Sequence, residues 1–188
     1  MWKFSRYLIL IGFTLSISLS ANSQTRKRGN LFKTGVQRTR HLQGLKGVDL
    51  SYGLSEHGQL YGVGGMFYML DNNSIRVKGL LETAEVFESN LTRYSADINY
   101  AYSPIDLSGF VFVNLLGGVT VNYTSGNLTE NLNVDNAINF GALAGIELEA
   151  FFAGMASFFI QVDQRVHVYS NYGRWRNYSV IGLRVNFK

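Results

Sequence analysis

The chain holds three histidines, His41, His57 and His167, and one close pair of carboxylates, Glu147 and Glu149. These are the side chains whose chemistry could be catalytic. A serine hydrolase needs a histidine base, a serine and an orienting acid brought together in space. His167 is the best-placed base, because Asp163 and Arg165 precede it on the same side of one strand. No Gly-x-Ser-x-Gly element or other local signature accompanies it. His41 and His57 fall in or beside loops, without metal-ligand spacing. Glu147 and Glu149 point the same way along a strand, as paired catalytic acids do, but several arginines share that parity and make salt bridges the ordinary reading. Cysteine is absent, which excludes disulfides and thiolate metal sites. Gly62-Val63-Gly64-Gly65 lacks the strand–turn–helix setting of a phosphate loop. No catalytic residue, cofactor or metal is expected, and the chain reads as a non-enzyme.

The elements that carry these residues are strands. From Phe110 to Tyr123 the odd positions Val111, Val113, Leu115, Gly117, Val119, Val121 and Tyr123 are almost wholly apolar, while the even positions Phe112, Asn114, Leu116, Gly118, Thr120 and Asn122 are mixed and mostly small or polar. From Asn136 to Phe151 the apolar positions are Ile138, Phe140, Ala142, Ala144, Ile146 and Leu148. Period-two alternation places successive side chains on opposite faces. Soluble strands run to about 5–6 residues. These exceed the roughly 10 that a tilted strand needs to cross a bilayer. The same pattern recurs over residues 46–54, 59–70, 75–87, 92–102, 155–169 and 175–187, with Asp71-Asn72-Asn73-Ser74, Ser103-Pro104-Ile105-Asp106 and Ala153-Gly154 as turns. The expectation is an all-β fold, an eight-stranded antiparallel up-and-down transmembrane barrel over residues 47–188. An even strand number puts both chain ends on one side, the periplasmic side of an exported barrel.

The other parity gathers charge: Asp49, Arg76, Lys78, Glu82, Arg93, Asp97, Glu147, Glu149, Asp163, Arg165 and Arg184. An eight-stranded barrel is just wide enough to be filled by its own side chains. Unpaired charges there are costly. A lumen ion-pair network is therefore expected, with no open channel. Gly62 and Gly64 suit the same narrow interior.

The chain opens with Lys3 and Arg6, an apolar run from Tyr7 to Leu19, and Ala21-Asn22-Ser23. This is the three-part pattern of a secretory signal peptide over residues 1–23, cut before Gln24. Residues 24–46 form a basic lead-in: Arg26, Lys27, Arg28, Lys33, Arg38, Arg40 and Lys46, with no acid among them. From Gly47 onward 8 basic residues face 13 acidic ones. The ordinary reading of such a run is a solvated leader. It could also meet anionic lipid or an acidic partner, and Arg26, Lys27, Arg28, Arg38 and Arg40 are the candidate partner-binding residues. No aromatic interleaving accompanies the charge, so direct nucleic-acid binding is not expected.

His41-Leu42-Gln43-Gly44-Leu45-Lys46-Gly47-Val48 followed by Gly53, then Arg93 to Tyr102, Phe112 to Tyr123, Asn139 to Glu147 and Val180-Ile181-Gly182-Leu183-Arg184-Val185-Asn186-Phe187, resemble the conjugal transfer protein TraO family of Bacteroidetes conjugative transposons. The proline usual in the family's first segment is missing. The resemblance implies an outer-membrane component of a conjugative DNA-transfer apparatus, with outer-membrane lipid and other conjugal transfer proteins as partners. It implies no catalytic residues. The alternative is a small porin-like outer-membrane barrel for surface adhesion or envelope integrity.

Overall fold

The computed structural model describes residues 41, 43–56, 58–70, 72–86, 89–107, 109–126, 137–168 and 175–188. The signal peptide, the basic residues Arg26, Lys27, Arg28, Arg38 and Arg40, and His57 lie outside the described residues. Eight strands form: β1 (Lys46–Ser55), β2 (Gly58–Leu70), β3 (Asn73–Val86), β4 (Ser89–Leu107), β5 (Val111–Gly126), β6 (Ala137–Phe151), β7 (Ala156–His167) and β8 (Trp175–Phe187). Each pairs antiparallel with the next. β1 also pairs with β8, from Lys46↔Phe187 to Ser55↔Tyr178, and this closes the barrel. Closure satisfies every strand edge within the sheet, a condition that lipid imposes on any β-structure crossing it.

The fold is inside-out relative to a soluble protein. Leu50, Val63, Ile98, Val119, Ile138, Ile146, Val162 and Leu183 are exposed on the outer wall, while all eleven charged residues of the inward parity are buried. Leu50 is 68% exposed and its neighbour in sequence, Asp49, 5%. A continuous apolar exterior of this extent is the lipid-facing band of a transmembrane barrel. Among the described residues no helix is long and apolar enough to cross a membrane.

β4 departs from expectation. Ser103 to Asp106 is not a turn but part of a 19-residue strand. The register jumps from Tyr102↔Leu115 to Ile105↔Val113, so Ser103 and Pro104 together face Asn114. This is a β-bulge. Pro104 has no N–H to donate to a ladder, and a bulge is one of the few strand positions that tolerates it. The bulge aims Ser103 into the lumen, where it is buried. The boundary drawn after residue 46 also moves. Lys46 is the first residue of β1, and His41 and Leu45 are buried against the barrel.

Adjacent glycines in β5 separate the two faces. A Cβ at Gly117, on the outer side, would meet nothing within 4 Å; one at Gly118, on the lumen side, would run into the Ile98 carbonyl oxygen and lie 2.6 Å from the Asn99 Cα. Backbone cannot move aside as a side-chain tip can. Gly118→Ala is expected to cost about 1–3 kcal/mol, as overpacking does, whereas Gly117→Ala leaves stability unchanged or slightly improved. Urea midpoints in lipid vesicles check both; equal midpoints would refute the assignment of faces.

Candidate functional site

Among the described residues the lumen gathers the reactive side chains, and they sit in three layers. At the end where β1 begins and β8 ends (the terminal end), Arg184 reaches across from β8. Its Nη1 and Nη2 donate to Glu147 at 3.0 Å each, Nη1 lies 2.9 Å from Glu149 Oε2, and Nε lies 3.8 Å from Asp49 Oδ2. Arg76 Nη1 donates to the same Glu147 at 2.8 Å. In the middle, Arg165 makes a two-pronged contact to Asp97 at 3.0 and 2.8 Å, and its Nε donates to Asp163 at 2.7 Å. Bidentate charge-assisted bonds of this kind are the strong ones. At the loop end Glu82 accepts from Arg93 and Tyr178, both at 2.8 Å, and from Ser55 at 2.6 Å, with Arg176 Nη1 at 3.6 Å. Arg165 also stacks over Tyr178 at 4.2 Å and Arg184 over Phe159 at 4.5 Å.

The structure brings all eleven inward-parity charges into this network, although Lys78 does so without a carboxylate in contact. Its register partner is Asp97, but Arg165 takes that carboxylate. Lys78 Nζ instead donates to Gln161 at 3.5 Å and lies 5.3 Å from the Phe159 ring centre. Arg176 is the residue sequence reasoning left out. It is buried, and with it six acidic side chains face six Lys and Arg in the described lumen. Its parity, shared with Tyr178 and Arg184 on β8, is the signal that finds it. Arg176 is directly opposite Arg165 in the ladder, an unfavourable like-charge pair. The two diverge, Arg165 toward Asp97 and Asp163, Arg176 toward Glu82.

His41, read as a loop residue, is buried in the terminal mouth. Its ring stacks on Phe112 at 3.9 Å between centroids, with Tyr68 at 4.9 Å. Nε2 lies 3.0 Å from Glu149 Oε2 and Nδ1 3.1 Å from Ser103 Oγ. Ser103, His41 and Glu149 thus stand in line, as a hydrolytic triad does. The hydrogen-bond directions run the other way. Asn114 Nδ2 donates to Glu147 and Glu149, so its Oδ1 is the atom facing Ser103 and accepts a hydrogen bond from that hydroxyl. The Ser103 hydroxyl hydrogen is thus directed at Asn114 and not at His41, unlike that of a triad serine. His167 lies at the other end of β7, where Asn122 Nδ2 is 2.8 Å from its Nδ1; its strand neighbours Asp163 and Arg165 are bound to each other. Among the described residues no group of three or more His, Cys, Asp or Glu could hold a metal ion.

His41→Ala removes one of the three partners of Glu149 Oε2 and three aromatic contacts, with Tyr68, Phe112 and Phe151. A loss of about 1–3 kcal/mol is expected, read as a lower urea midpoint. No change would mean that His41 is a passive occupant of the mouth. Apolar clusters cross the lumen as well: Leu45, Met66 and Tyr68 form one, and Leu60, Leu80, Phe159, Tyr178 and Val180 the other.

No protein-family model matches the chain, and no curated protein matches it. Solved structures do. The N-terminal β-barrel domain of Pseudomonas aeruginosa OprF is similar at a TM-score of 0.58 and 14% identity, over 77% of this chain and 98% of that one. Neisserial surface protein A is similar at 0.60 and 13%, over 76% and 96%. Ail, the attachment invasion locus protein of Yersinia pestis, is similar at 0.54 and 10%, over 78% and 100%. At these identities the likeness is one of fold, and the fold is that of the eight-stranded outer-membrane barrels.

Proposed function

We propose that this chain is a non-enzymatic outer-membrane barrel that serves a conjugative DNA-transfer apparatus as a structural and docking element. The observation that carries the mechanical part of this reading is the plugged lumen. Six carboxylates and six cations neutralise one another inside a narrow wall, with apolar clusters and His41 across the bore. Such a barrel anchors and presents; it does not conduct, since a water-filled pore generally needs about 16 strands. The side chains that could have been catalytic are engaged in this packing: Glu147 and Glu149 hold Arg184, and Ser103 donates its hydrogen bond to Asn114 Oδ1. What supports the transfer role is the sequence resemblance around His41–Val48 and Val180–Phe187. The signal-peptide pattern supports export, and the basic lead-in supplies a docking element for other transfer proteins.

The test is a pull-down of the tagged mature protein from the outer membrane of a donor cell during mating, beside the mating frequency of a deletion strain. Recovery of other transfer proteins, lost when Arg26, Lys27 and Arg28 are neutralised, is the expected result. Normal mating without the protein, with only barrel-assembly factors recovered, refutes the transfer role. The reading left standing would then be a small barrel for surface adhesion or envelope integrity, to which the likeness to an attachment protein such as Ail lends weight. Hydrolysis of lipid or peptide by the wild type and not by His41→Ala or His167→Ala would refute the non-enzymatic part.

A further inference from the structure

Asp49 and Ser51 of β1 face Gly64 and Gly62 across the ladder to β2, and Arg184 and Gly182 across the ladder to β8. Only Arg184 among those four partners has a side chain. The polar groups around this bare stretch of lumen wall lean over it. A Cβ on Gly64 would lie 2.8 Å from Asp49 Oδ1. One on Gly62 would run into Ser51 Oγ and lie 3.1 Å from Lys78 Cε. Lys78, paired with Gly64 from β3, therefore reaches over the same glycine as Ser51. Apolar side chains bound this space at both ends. One row toward the loop end, Leu60 and Val180 stand opposite Gly53, in the cluster that includes Leu80. One row toward the terminal end, Met66 stands opposite Gly47, in the cluster with Leu45 and Tyr68.

Hydrogen bonding within this chamber does not close. Asp49 Oδ1 and Ser51 Oγ are buried without a hydrogen-bond partner, and so are both carboxamide atoms of Asn186, two residues beyond Arg184. Asp49 is 5% exposed and Asn186 2%. Lys78 carries three N–H donors, and its hydrogen bond to Gln161 is 3.5 Å long. Donors and acceptors are thus both left over, in a place where unserved polar groups are costly.

The charges decide what serves them. An anion held by Lys78 would face the Asp49 carboxylate. A cation held by Asp49 would face Lys78 and Arg184. Water donates and accepts without charge, and buried waters commonly make about three hydrogen bonds to such groups. We infer that ordered water is bound between Lys78 Nζ, Ser51 Oγ and Asp49 Oδ1. Through it Asp49 neutralises Lys78, which contacts no carboxylate among the described residues. The plugged lumen encloses a hydrated pocket between two apolar seals.

The test is a crystal structure of the mature full-length protein, at a resolution that shows ordered water, beside a double-variant cycle in vesicles. Water within hydrogen-bond distance of Lys78 Nζ and Asp49 Oδ1 is the expected result. A direct Lys78–Asp49 ion pair at about 2.8 Å, a chloride or sodium ion in that position, or a dry space overturns the inference. In the cycle, Lys78→Met lowers the folding equilibrium constant about tenfold and Asp49→Asn about fivefold, and the double variant lowers it about tenfold. A loss of about fiftyfold, the product of the two, overturns the inference and leaves the carboxylate to Arg184 alone. Heat-dependent gel mobility confirms that each variant is folded. If Lys78→Met does not fold, Lys78→Gln replaces it, and the wild-type crystal structure decides without any variant.

Discussion

Arg184→Leu lowers the stability of the barrel by about 3–5 kcal/mol, the loss expected when one partner of a buried ion pair is removed. Arg184 is the strongest candidate for such an effect because it neutralises the most acid. It bonds both oxygens of Glu147, touches Glu149 and lies within ion-pair distance of Asp49. All four side chains are almost wholly buried. Leucine fills much of the volume but leaves Arg76 to serve Glu147 and His41 to serve Glu149, with Asp49 unpaired. Trp175 is the one tryptophan after the signal segment, and it sits on the outer wall. Its fluorescence reports reversible urea unfolding in vesicles. Arg184→Lys keeps the charge but loses the two-pronged geometry, so it should fall between wild type and Arg184→Leu. An unchanged midpoint for Arg184→Leu would mean that water, not protein, satisfies these carboxylates.

Arg165→Leu has a comparable effect, about 3–5 kcal/mol, for a related reason. It leaves Asp97 and Asp163 facing each other in the middle of the lumen without the guanidinium that separates them. Lys78 is the nearest spare cation, and it contacts Gln161, not a carboxylate. The sharper measurement is a comparison with the triple change Arg165→Leu, Asp97→Leu, Asp163→Leu. Replacing an entire buried ionic set by apolar groups is often neutral or stabilising, because the desolvation of all the charges disappears together. The triple variant should therefore be more stable than Arg165→Leu alone. If it is less stable, the network contributes net stability beyond charge neutralisation, and the account of the lumen given above fails.

Much of the barrel was legible from alternation. Outward Val48, Leu50, Tyr52 and Leu54 and inward Asp49 on β1 follow from period two alone, and so does the inward set Arg76, Lys78 and Glu82 on β3. Alternation is a local property, and it survives folding unchanged wherever the strand is regular. It misled where the strand is not regular. Ser103-Pro104 carries the composition of a turn, yet the ladder of β5 continues past it and absorbs the extra residue as a bulge. Local composition cannot report a partner strand that is willing to pair.

The sequence by itself determined that this chain makes long strands with one apolar face and one charged face, because the side of a strand on which a residue falls depends only on its position in the chain. Tertiary structure alone decided who pairs with whom. Arg165 meets Asp97 across 68 residues and Arg76 meets Glu147 across 71. Those distances in sequence are set by the shear and closure of the barrel, which no single strand encodes. The same holds for His41. Nothing in its neighbours marks it as buried, and only the closed mouth, with Glu149, Ser103 and Phe112 brought in from three strands, gives it a place to bind.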